Sequence, residues 1–336
     1  MNHSETLLEI KDLCVEFKTM AGTVHAVAHL SYTLHRGEKL GIVGESGSGK
    51  SVSSLAMMQL IPNPPGKVTG GQILYNGKDL VKLSEREMEK IRGNEISMIF
   101  QEPMSSLNPV YRIGDQMLEM IRTHHREIPK KEALKQCIEM LARVGIPSPE
   151  QRIREFPHQM SGGMRQRVMI AMALLCQPKL LIADEPTTAL DVTIQAQILR
   201  ILKKLAEESD TSVILITHDM GVVAEMADHV MVMYAGKSVE YGTAEDIFDH
   251  PMHPYTVGLL KSIPKLGSGQ EDHLFTIEGT VPGLDEMPAG CRFSTRCPYA
   301  TEQCKKEDPG MQGEAGHFVR CFRFMDPEIQ DSREVE

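Results

Sequence analysis

The stretch Leu40-Gly41-Ile42-Val43-Gly44-Glu45-Ser46-Gly47-Ser48-Gly49-Lys50-Ser51 leads a short apolar run directly into a loop of glycine and serine. From Gly44 onward it matches the pattern G-x-x-x-x-G-K-[ST], and helical character follows. Such a loop, between a buried strand and a helix, lets backbone N–H groups converge on phosphate oxygens while the helix adds its positive N-terminal end. We expect Lys50 to reach the β- and γ-phosphates and the Ser51 hydroxyl to bind Mg²⁺. A plain glycine-rich turn is the alternative.

A second apolar run, Leu180-Leu181-Ile182-Ala183, ends in two carboxylates, Asp184 and Glu185. A strand that ends in this way can place one acid near the metal and the next near the γ-phosphate. We expect Asp184 to hold Mg²⁺ through water and Glu185 to polarise the attacking water as a general base. Such an ending is common by itself, but together with the phosphate loop it predicts nucleotide binding and hydrolysis.

Strand-like and helix-like segments alternate along most of the chain, which indicates an α/β layered domain. A helical stretch at about residues 105–165 interrupts this alternation and predicts an inserted subdomain. The strand candidates are residues 7–10, 14–17, 40–43, 72–75, 96–100, 180–183 and 213–216, and the helical candidates are residues 51–60, 113–172 and 194–208.

Length and charge narrow the function classes. The 336 residues allow two domains, or one large domain with an appendage. The net charge of −10 argues against a nucleic-acid surface spread over the whole protein, which is normally basic. No apolar run approaches the roughly 18 residues that cross a bilayer, and the segment Met1–Glu5 has no basic, signal-like character. We therefore expect a cytosolic protein.

Three further motifs surround the phosphate loop and the acidic strand in a fixed order. Ser161-Gly162-Gly163-Met164 lies between them, and Ala189-Leu190-Asp191 and Thr217-His218-Asp219 follow. This order resembles the ATP-binding-cassette (ABC) ATPases, and the match covers about residues 7–250. The resemblance implies a P-loop α/β cassette at residues 1–250, with the helical subdomain inside it, that binds and hydrolyses ATP with Mg²⁺.

The motif from Ser161 to Met164 resembles the family signature, a glycine-rich helix start. In that role Ser161, Gly162 and Gly163 bind the γ-phosphate of an ATP held by a partner cassette, through free N–H groups and the helix dipole. Met160 and Met164 depart from the common Leu-Ser-Gly-Gly-Gln form. Because the serine and both glycines remain, we expect activity to survive.

The same resemblance implies roles for four other residues. Gln101 is similar to the loop glutamine that senses Mg²⁺ and the membrane subunit. The resemblance therefore adds Gln101 to the expected Mg²⁺ ligands Ser51 and Asp184. Asp191 belongs to the loop that contacts the partner cassette, and His218 resembles the switch histidine at the γ-phosphate. Phe17 is our candidate for the aromatic residue that stacks on adenine.

Two longer motifs resemble the dipeptide/oligopeptide importer ATPases more closely, as the D-type subunit of that peptide/nickel family. They are Phe100-Gln101-Glu102-Pro103-Met104-Ser105-Ser106-Leu107-Asn108-Pro109 and the run from Ala183 to Asp191. His253-Pro254-Tyr255-Thr256 resembles the start of that family's C-terminal extension, which we place at residues 251–336. Such subunits are peripheral at the cytoplasmic face of the membrane. They pair with a second, non-identical cassette under two permeases that an external binding protein supplies.

Alternative functions stay open at this point. Nickel importers share the plan, so the motifs do not decide between a peptide and nickel. A soluble ABC ATPase without a transport role usually carries a long coiled-coil insertion or two cassettes in one chain, and this chain has neither. A non-hydrolysing regulatory cassette is a third reading, which Met164 favours and the intact Lys50, Asp184, Glu185 and His218 oppose.

Four of the seven cysteines, Cys291, Cys297, Cys304 and Cys321, lie in the C-terminal region with the spacing C-x5-C-x6-C-x16-C. In a cytosolic protein such a group suggests a metal centre rather than disulfides. The spacing lacks the C-x2-C pairs usual for structural zinc, and long, irregular gaps suit a larger iron–sulfur cluster. The resemblance to the peptide importer ATPases also favours a [4Fe–4S] cluster on these cysteines. Zinc and free thiols are the alternatives.

Overall fold

A computed structural model gives the structure of the protein. It describes residues 5–20, 22–101, 106–188, 191–263, 275–283 and 286–324. Parts of three sequence motifs, residues 1–4, 102–105 and 189–190, lie outside these described residues. The chain forms two compact units. The first comprises Met1–Glu5, His35–Glu38 and Leu83–Leu215, and the second comprises Thr6–Leu34, Lys39–Lys82 and Ile216–Glu336.

Strands and helices alternate as predicted over much of the chain, but the strands at residues 22–35, 229–234 and 237–243 lie outside the sequence candidates. In chain order the strands are β1 (Thr6–Thr19), β2 (Gly22–His35), β3 (Lys39–Val43), β4 (Gly66–Tyr75), β5 (Lys78–Asp79), β6 (Ile96–Ile99), β7 (Leu180–Asp184), β8 (Ser212–Thr217), β9 (His229–Tyr234), β10 (Lys237–Thr243), β11 (Gln312–Glu314) and β12 (His317–Val319). The α-helices are α1 (Lys50–Met57), α2 (Glu85–Ile91), α3 (Ile113–His124), α4 (Lys130–Arg143), α5 (Pro149–Arg152), α6 (Gly162–Leu174), α7 (Val192–Glu208), α8 (Met220–Met226), α9 (Ala244–Asp249), α10 (Pro254–Lys261) and α11 (Glu302–Lys306).

In the first unit, β8, β7 and β6 are neighbours in that order. β6 and β7 are parallel, and their register pairs Ile96 with Leu180 and Ile99 with Ala183. Every residue of β7 is buried, as expected for a parallel strand with both faces covered. Because the two strands are parallel, the residues that follow them emerge at the same edge of the sheet.

The first unit also contains the helices α2 to α7, and α3 to α5 lie in the stretch where the sequence predicts a helical subdomain. Met117 and Ile121 are buried on α3, whereas Met120 is partly exposed. On α4 the buried residues are Ala133, Cys137, Met140 and Leu141. Leu134, Ile138 and Leu141 recur at the helical spacing that predicts a buried face, but of these only Leu141 is fully buried, and Leu134 and Ile138 are partly exposed.

The second unit carries an antiparallel sheet in the order β2-β1-β4-β5 and a second set of strands in the order β11-β12-β10-β9-β3. The two strand candidates at 7–10 and 14–17 form one strand, β1, whose pairing with β4 is shifted between Lys11 and Cys14. A bulge of this kind keeps the strand continuous while reversing which face each side chain occupies. β3 and β9 are parallel, with Val43 opposite Val232.

Residues beyond position 251 share the hydrophobic core of the second unit. The rings of Tyr234, Tyr255 and Phe293 lie with centroids 4.7–5.4 Å apart in edge-on and tilted contacts. β12 pairs with β10, where Glu240 is opposite Val319. The sequence does not reveal this packing, because the segment has little periodicity. None of the helices in the described ranges is both long and apolar enough to cross a membrane.

Candidate nucleotide site and cysteine cluster

Two glycines allow the loop after β3 to take its path in the second unit. Gly44 has φ +150°, and a Cβ there would lie 2.1 Å from the carbonyl oxygen of Met233. Gly49 has φ +92°, and its Cβ would lie 2.5 Å from the carbonyl oxygen of Ala26. Both positions combine a backbone conformation that favours glycine with a close approach of another chain segment. The loop therefore follows a backbone path that depends on glycine at both positions.

Lys50 lies at the centre of this loop with only 5% of its surface exposed. Its Nζ donates to the carbonyl oxygens of Gly44 at 2.6 Å and Glu45 at 2.9 Å, and to Oγ of Ser48 at 3.2 Å. Lys50 is also the first residue of α1, and Ser51 follows it in the first turn. A buried cation and the positive end of a helix thus occupy the same loop, an arrangement that attracts phosphate.

The turn between β9 and β10 holds the loop from the other side. Gly236 donates from its N–H to the carbonyl oxygen of Ser48 at 2.9 Å, and its own carbonyl accepts from the N–H of Ala28 at 2.9 Å. Within the loop, the N–H of Ser48 donates to the carbonyl of Glu45 at 3.2 Å. The backbone of the loop is therefore fixed by hydrogen bonds, which preorganises its remaining N–H groups.

The second unit also contains Phe17 and His218. Phe17 is half-buried on β1, and its ring lies beside Gly66, where a Cβ would come within 2.6 Å of Cε1. His218 is exposed directly after β8. The next residue, Asp219, accepts a hydrogen bond from the N–H of Gly221 at 2.8 Å and caps α8. This cap determines where the strand-to-helix turn that carries His218 ends.

The first unit brings Asp184, Glu185 and Gln101 to one edge of the parallel pair β6 and β7. Asp184 ends β7 and is 3% exposed. Glu185 is in the left-handed region at φ +46°, which is unfavourable for a residue with a Cβ and is often retained at functional sites. Its Oε2 accepts from the Oγ1 of Thr188 at 2.9 Å. Gln101 follows β6 and is exposed.

The signature-like motif forms a capped helix N-terminus in the same unit. Ser161 is the N-cap of α6, and its Oγ accepts from the N–H of Met164 at 3.3 Å. Gly163 lies where a Cβ would come within 3.2 Å of Ile194. Asp191 caps α7 by accepting from the N–H of Ile194 at 2.9 Å. Met160, one of the two departures from the common signature, is 4% exposed, so an apolar residue is suited to that position.

All four C-terminal cysteines line one small cavity of the second unit. The pKa of Cys297 is raised to about 12 and that of Cys321 to about 11, mainly by burial, with a smaller contribution from the neighbouring thiols. Burial likewise raises the pKa of Cys291. Three of these sulphurs also accept a backbone hydrogen bond from the residue two positions later in the chain, namely Phe293, Tyr299 and Arg323.

These contacts bring the four cysteines together, but they do not show a bound metal. Within the described ranges, no group of three or more His, Cys, Asp or Glu side chains is arranged as the ligands of a metal ion. The iron–sulfur cluster that the sequence favours is therefore not supported by a ready-made set of ligands. All seven cysteines are free thiols in this structure.

Two side-chain contacts in the second unit were missed by reasoning from the sequence. Arg296 pairs with Glu45 of the phosphate loop, and His317 pairs with the buried Glu240. The one available signal was Glu45 itself, because an acid in a loop that binds a polyanion calls for a positive partner. Its identity could not be found, since the two residues are 251 positions apart in the chain.

Known proteins resemble this chain in sequence over nearly its whole length. A sequence model described as ABC transporter matches residues 27–188, and one described as the C-terminal region of oligopeptide/dipeptide transporters matches residues 239–304. The chain is 56% identical to the oligopeptide transport ATP-binding protein OppD of Bacillus subtilis, over 94% of this chain and 88% of that protein. It is 52% identical to the dipeptide transport ATP-binding protein DppD of the same organism, over 98% of this chain and 96% of the relative.

Solved structures show the same fold. A dimeric structure of the ATP-binding cassette MJ0796 in a post-hydrolysis state, bound to ADP and phosphate, superposes with a TM-score of 0.64. It is 27% identical and covers 71% of this chain and 99% of its own. The α/β cassette predicted from the sequence is confirmed.

Proposed function

Since the chain belongs to the ABC transporter family, among the ATP-binding proteins of oligopeptide and dipeptide transporters, we propose that it is the ATP-hydrolysing subunit that powers peptide uptake. One observation carries the proposal. Identity of 50% or more to OppD and DppD proteins extends over nearly the whole chain, including the region matched by the oligopeptide/dipeptide model. That region distinguishes the peptide transporters from ABC ATPases without a transport role.

The working assembly, in this proposal, contains two cassettes and two membrane permeases, fed by an external binding protein. The chain is peripheral at the cytoplasmic face, with residues 1–250 as the nucleotide-binding domain and 251–336 as the extension. The second cassette is non-identical. Each ATP lies between the phosphate loop of one cassette and the signature of the other. ATP thus has a higher affinity for the closed pair than for the open one, and this difference drives the change in the permeases.

Each site residue has one task in this mechanism. Lys50 and the loop N–H groups hold the β- and γ-phosphates, and Phe17 stacks on adenine. Glu185 accepts the proton of the attacking water, and His218 contacts the γ-phosphate. The signature presents the N–H groups of Ser161, Gly162 and Gly163 to the ATP of the partner cassette. Asp191 belongs to the loop that contacts the partner cassette. The loop residues Glu45, Ser46, Gly47 and Ser48 complete the phosphate cradle.

Magnesium fits the oxygen donors that the chain offers. Ser51, Gln101 and Asp184 supply a hydroxyl, an amide and a carboxylate oxygen, which are the ligand types that Mg²⁺ prefers. The ion would neutralise phosphate charge during transfer. Glu185 is outside this proposed set of ligands and stays available to accept a proton.

The transport proposal is tested by reconstituting the chain with its partner cassette and permeases in proteoliposomes, together with the binding protein. We expect dipeptides or oligopeptides to stimulate ATP hydrolysis and to accumulate inside. Accumulation of nickel instead of peptide would support the nickel alternative. ATP hydrolysis that no permease or substrate alters would support a role outside transport.

We also propose that Cys291, Cys297, Cys304 and Cys321 hold a [4Fe–4S] cluster that cross-links the C-terminal region. The shared cavity and the backbone N–H groups at three sulphurs support four thiolate ligands, because these N–H groups lower the thiol pKa against the effect of burial. About four iron and four sulfide per chain are expected after purification without oxygen, together with loss of both in Cys297→Ser. Cys137→Ser is the matched control and keeps the iron. One zinc per chain, or no metal, would refute the cluster.

A further inference from the structure

Glu45 places a carboxylate in a loop that binds a polyanion, and Arg296 neutralises it. Nη1 of Arg296 donates to Oε2 of Glu45 at 2.6 Å, and Nη2 donates to Oε1 at 3.1 Å. The pair is bidentate, which is the strongest geometry for an arginine and a carboxylate. The Arg296 side chain is 4% exposed and that of Glu45 is 30% exposed, so water screens the contact only weakly.

The guanidinium of Arg296 is itself held in one orientation. Nε donates to the carbonyl oxygen of Glu278 at 3.0 Å, Nη2 donates to that of Ile277 at 3.1 Å, and the group lies 5.8 Å from the ring centre of Tyr234. Burial alone would lower the pKa of Arg296, but the hydrogen bonds with Glu45 and Tyr234 hold it above its usual value. The arginine is therefore a fixed positive charge beside the loop.

A second contact fixes the backbone of the same loop residue. The N–H of Glu45 donates to the phenolic oxygen of Tyr255 at 2.8 Å, and Tyr255 lies on α10. Arg292 donates through Nη1 to the carbonyl oxygen of Ala235, the residue before Gly236 in the turn that holds Ser48. Both arginines lie between Cys291 and Cys297, so the segment that carries two of the four cysteines also braces the phosphate loop.

We propose that Arg296 is a positioning residue that sets the affinity of the phosphate loop for nucleoside triphosphate by cancelling the charge of Glu45. The segment Cys291–Cys297, which carries Arg296, links this affinity to the cysteine site. The proposal deepens the proposed function, since it assumes that the loop binds ATP. The physical reason is electrostatic. Without Arg296, the carboxylate would repel the phosphates across a short distance in a partly buried site.

The test measures the dissociation constants of ATP and AMP on the isolated full chain by calorimetry. Arg296→Gln is expected to weaken ATP binding by about tenfold or more and AMP binding much less, because the repulsion grows with the phosphate charge. The double variant Glu45→Gln/Arg296→Gln is expected to recover most of the lost ATP affinity, because no unpaired charge remains. A purely structural role of Arg296 predicts no recovery, and that result would overturn the proposal.

Arg320→Gln is the matched control. Arg320 lies in the same C-terminal region, where Nη1 pairs with Asp308 at 3.4 Å and donates to the carbonyl of Pro309 at 3.0 Å. We expect it to leave ATP affinity unchanged, and an equal loss in this variant would contradict the specific role of Arg296. Arg296→Lys keeps the charge without the bidentate fork, and an intermediate affinity is expected. This variant remains informative if Arg296→Gln folds poorly.

The link to the cysteines is tested in the same assay. Cys297→Ser is expected to weaken ATP binding in the wild-type background and to have little effect in Glu45→Gln/Arg296→Gln, where the ionic contact is already absent. Equal effects in the two backgrounds would overturn the link. None of these measurements involves a transported substrate or a permease. A failure of the peptide-uptake proposal is therefore distinguishable from a failure of this one.

Discussion

Nε2 of His317 lies 2.9 Å from Oε1 of Glu240, a carboxylate with no exposed surface. The same carboxylate accepts from the N–H of Met252 at 2.7 Å and from that of His253 at 2.9 Å. Glu240 on β10 thus joins β12 to the chain segment that enters α10. A buried carboxylate is costly unless its oxygens are satisfied, and these three donors satisfy it.

Removing the His317 donor is expected to destabilise the second unit. His317→Ala leaves a buried acceptor short of one donor, and we expect a loss of about 1–3 kcal/mol in the free energy of unfolding. Urea denaturation measures the loss. His25→Ala is the control, because His25 is 56% exposed and pairs with Glu16 at the surface, where such pairs contribute about 1 kcal/mol or less. Equal losses in the two variants would contradict a special role for Glu240.

Glu185→Gln is expected to bind ATP normally and to lose turnover by a factor of about 10²–10⁴, because an amide cannot accept the proton of the attacking water. Steady-state phosphate release and equilibrium ATP binding measure the two effects separately. The exposed Glu150 of α5 offers a matched change, and Glu150→Gln should leave both unchanged. Turnover at the wild-type rate in Glu185→Gln would exclude the assigned role.

Ser161→Ala separates the capping role of Ser161 from its role in the signature. Loss of the cap on α6 is expected to cost about 0.5–2 kcal/mol of stability. Thr243→Ala removes a comparable cap, since Oγ1 of Thr243 accepts from the N–H of Asp246 at 3.1 Å. We expect both variants to lose stability and only Ser161→Ala to weaken ATP-dependent association of the cassettes, as measured by sedimentation with non-hydrolysable ATP. Equal association in the two variants would leave Ser161 as a cap only.

His253 predicts a pH dependence of stability. It is 1% exposed and caps α10, because Nδ1 accepts from the N–H of Tyr255 at 3.1 Å. Burial, with a smaller contribution from the nearby Arg320 charge, lowers the pKa of His253 to about 3 from its usual 6.5. Between these values the unfolded chain binds a proton that the folded chain does not. Stability must therefore fall as the pH drops from 6.5 toward 3, by up to about 1.4 kcal/mol per pH unit.

His253→Asn keeps a capping side chain and removes the titration, so its stability is expected to depend less on pH over this range. Urea denaturation at several pH values between about 6 and 4 measures the slope. His25→Asn serves as the control and should retain the slope of the wild type. Parallel curves for wild type and His253→Asn would show that other groups cause the acid sensitivity.

The features predicted correctly from the sequence are those that depend on short segments. The phosphate loop is recognisable because the requirement for glycine at Gly44 and Gly49 is local, and β7 is recognisable because a fully buried strand is apolar throughout. On α4, Leu141 is buried as its helical spacing predicts, whereas Leu134 and Ile138 stay partly exposed, because the elements packed around the helix, and not the periodicity alone, decide which side chains are covered.

The sequence by itself determined the cassette, its phosphate loop and the family, because these follow from residue types at fixed spacings along the chain. Only the tertiary structure decided that the four cysteines share a cavity, that Glu240 receives His317, and that Arg296 neutralises Glu45. The physical reason is that an ion pair depends on distance in space. Side chains 251 positions apart come within 2.6 Å because both residues belong to the same compact unit, and no local pattern encodes that meeting.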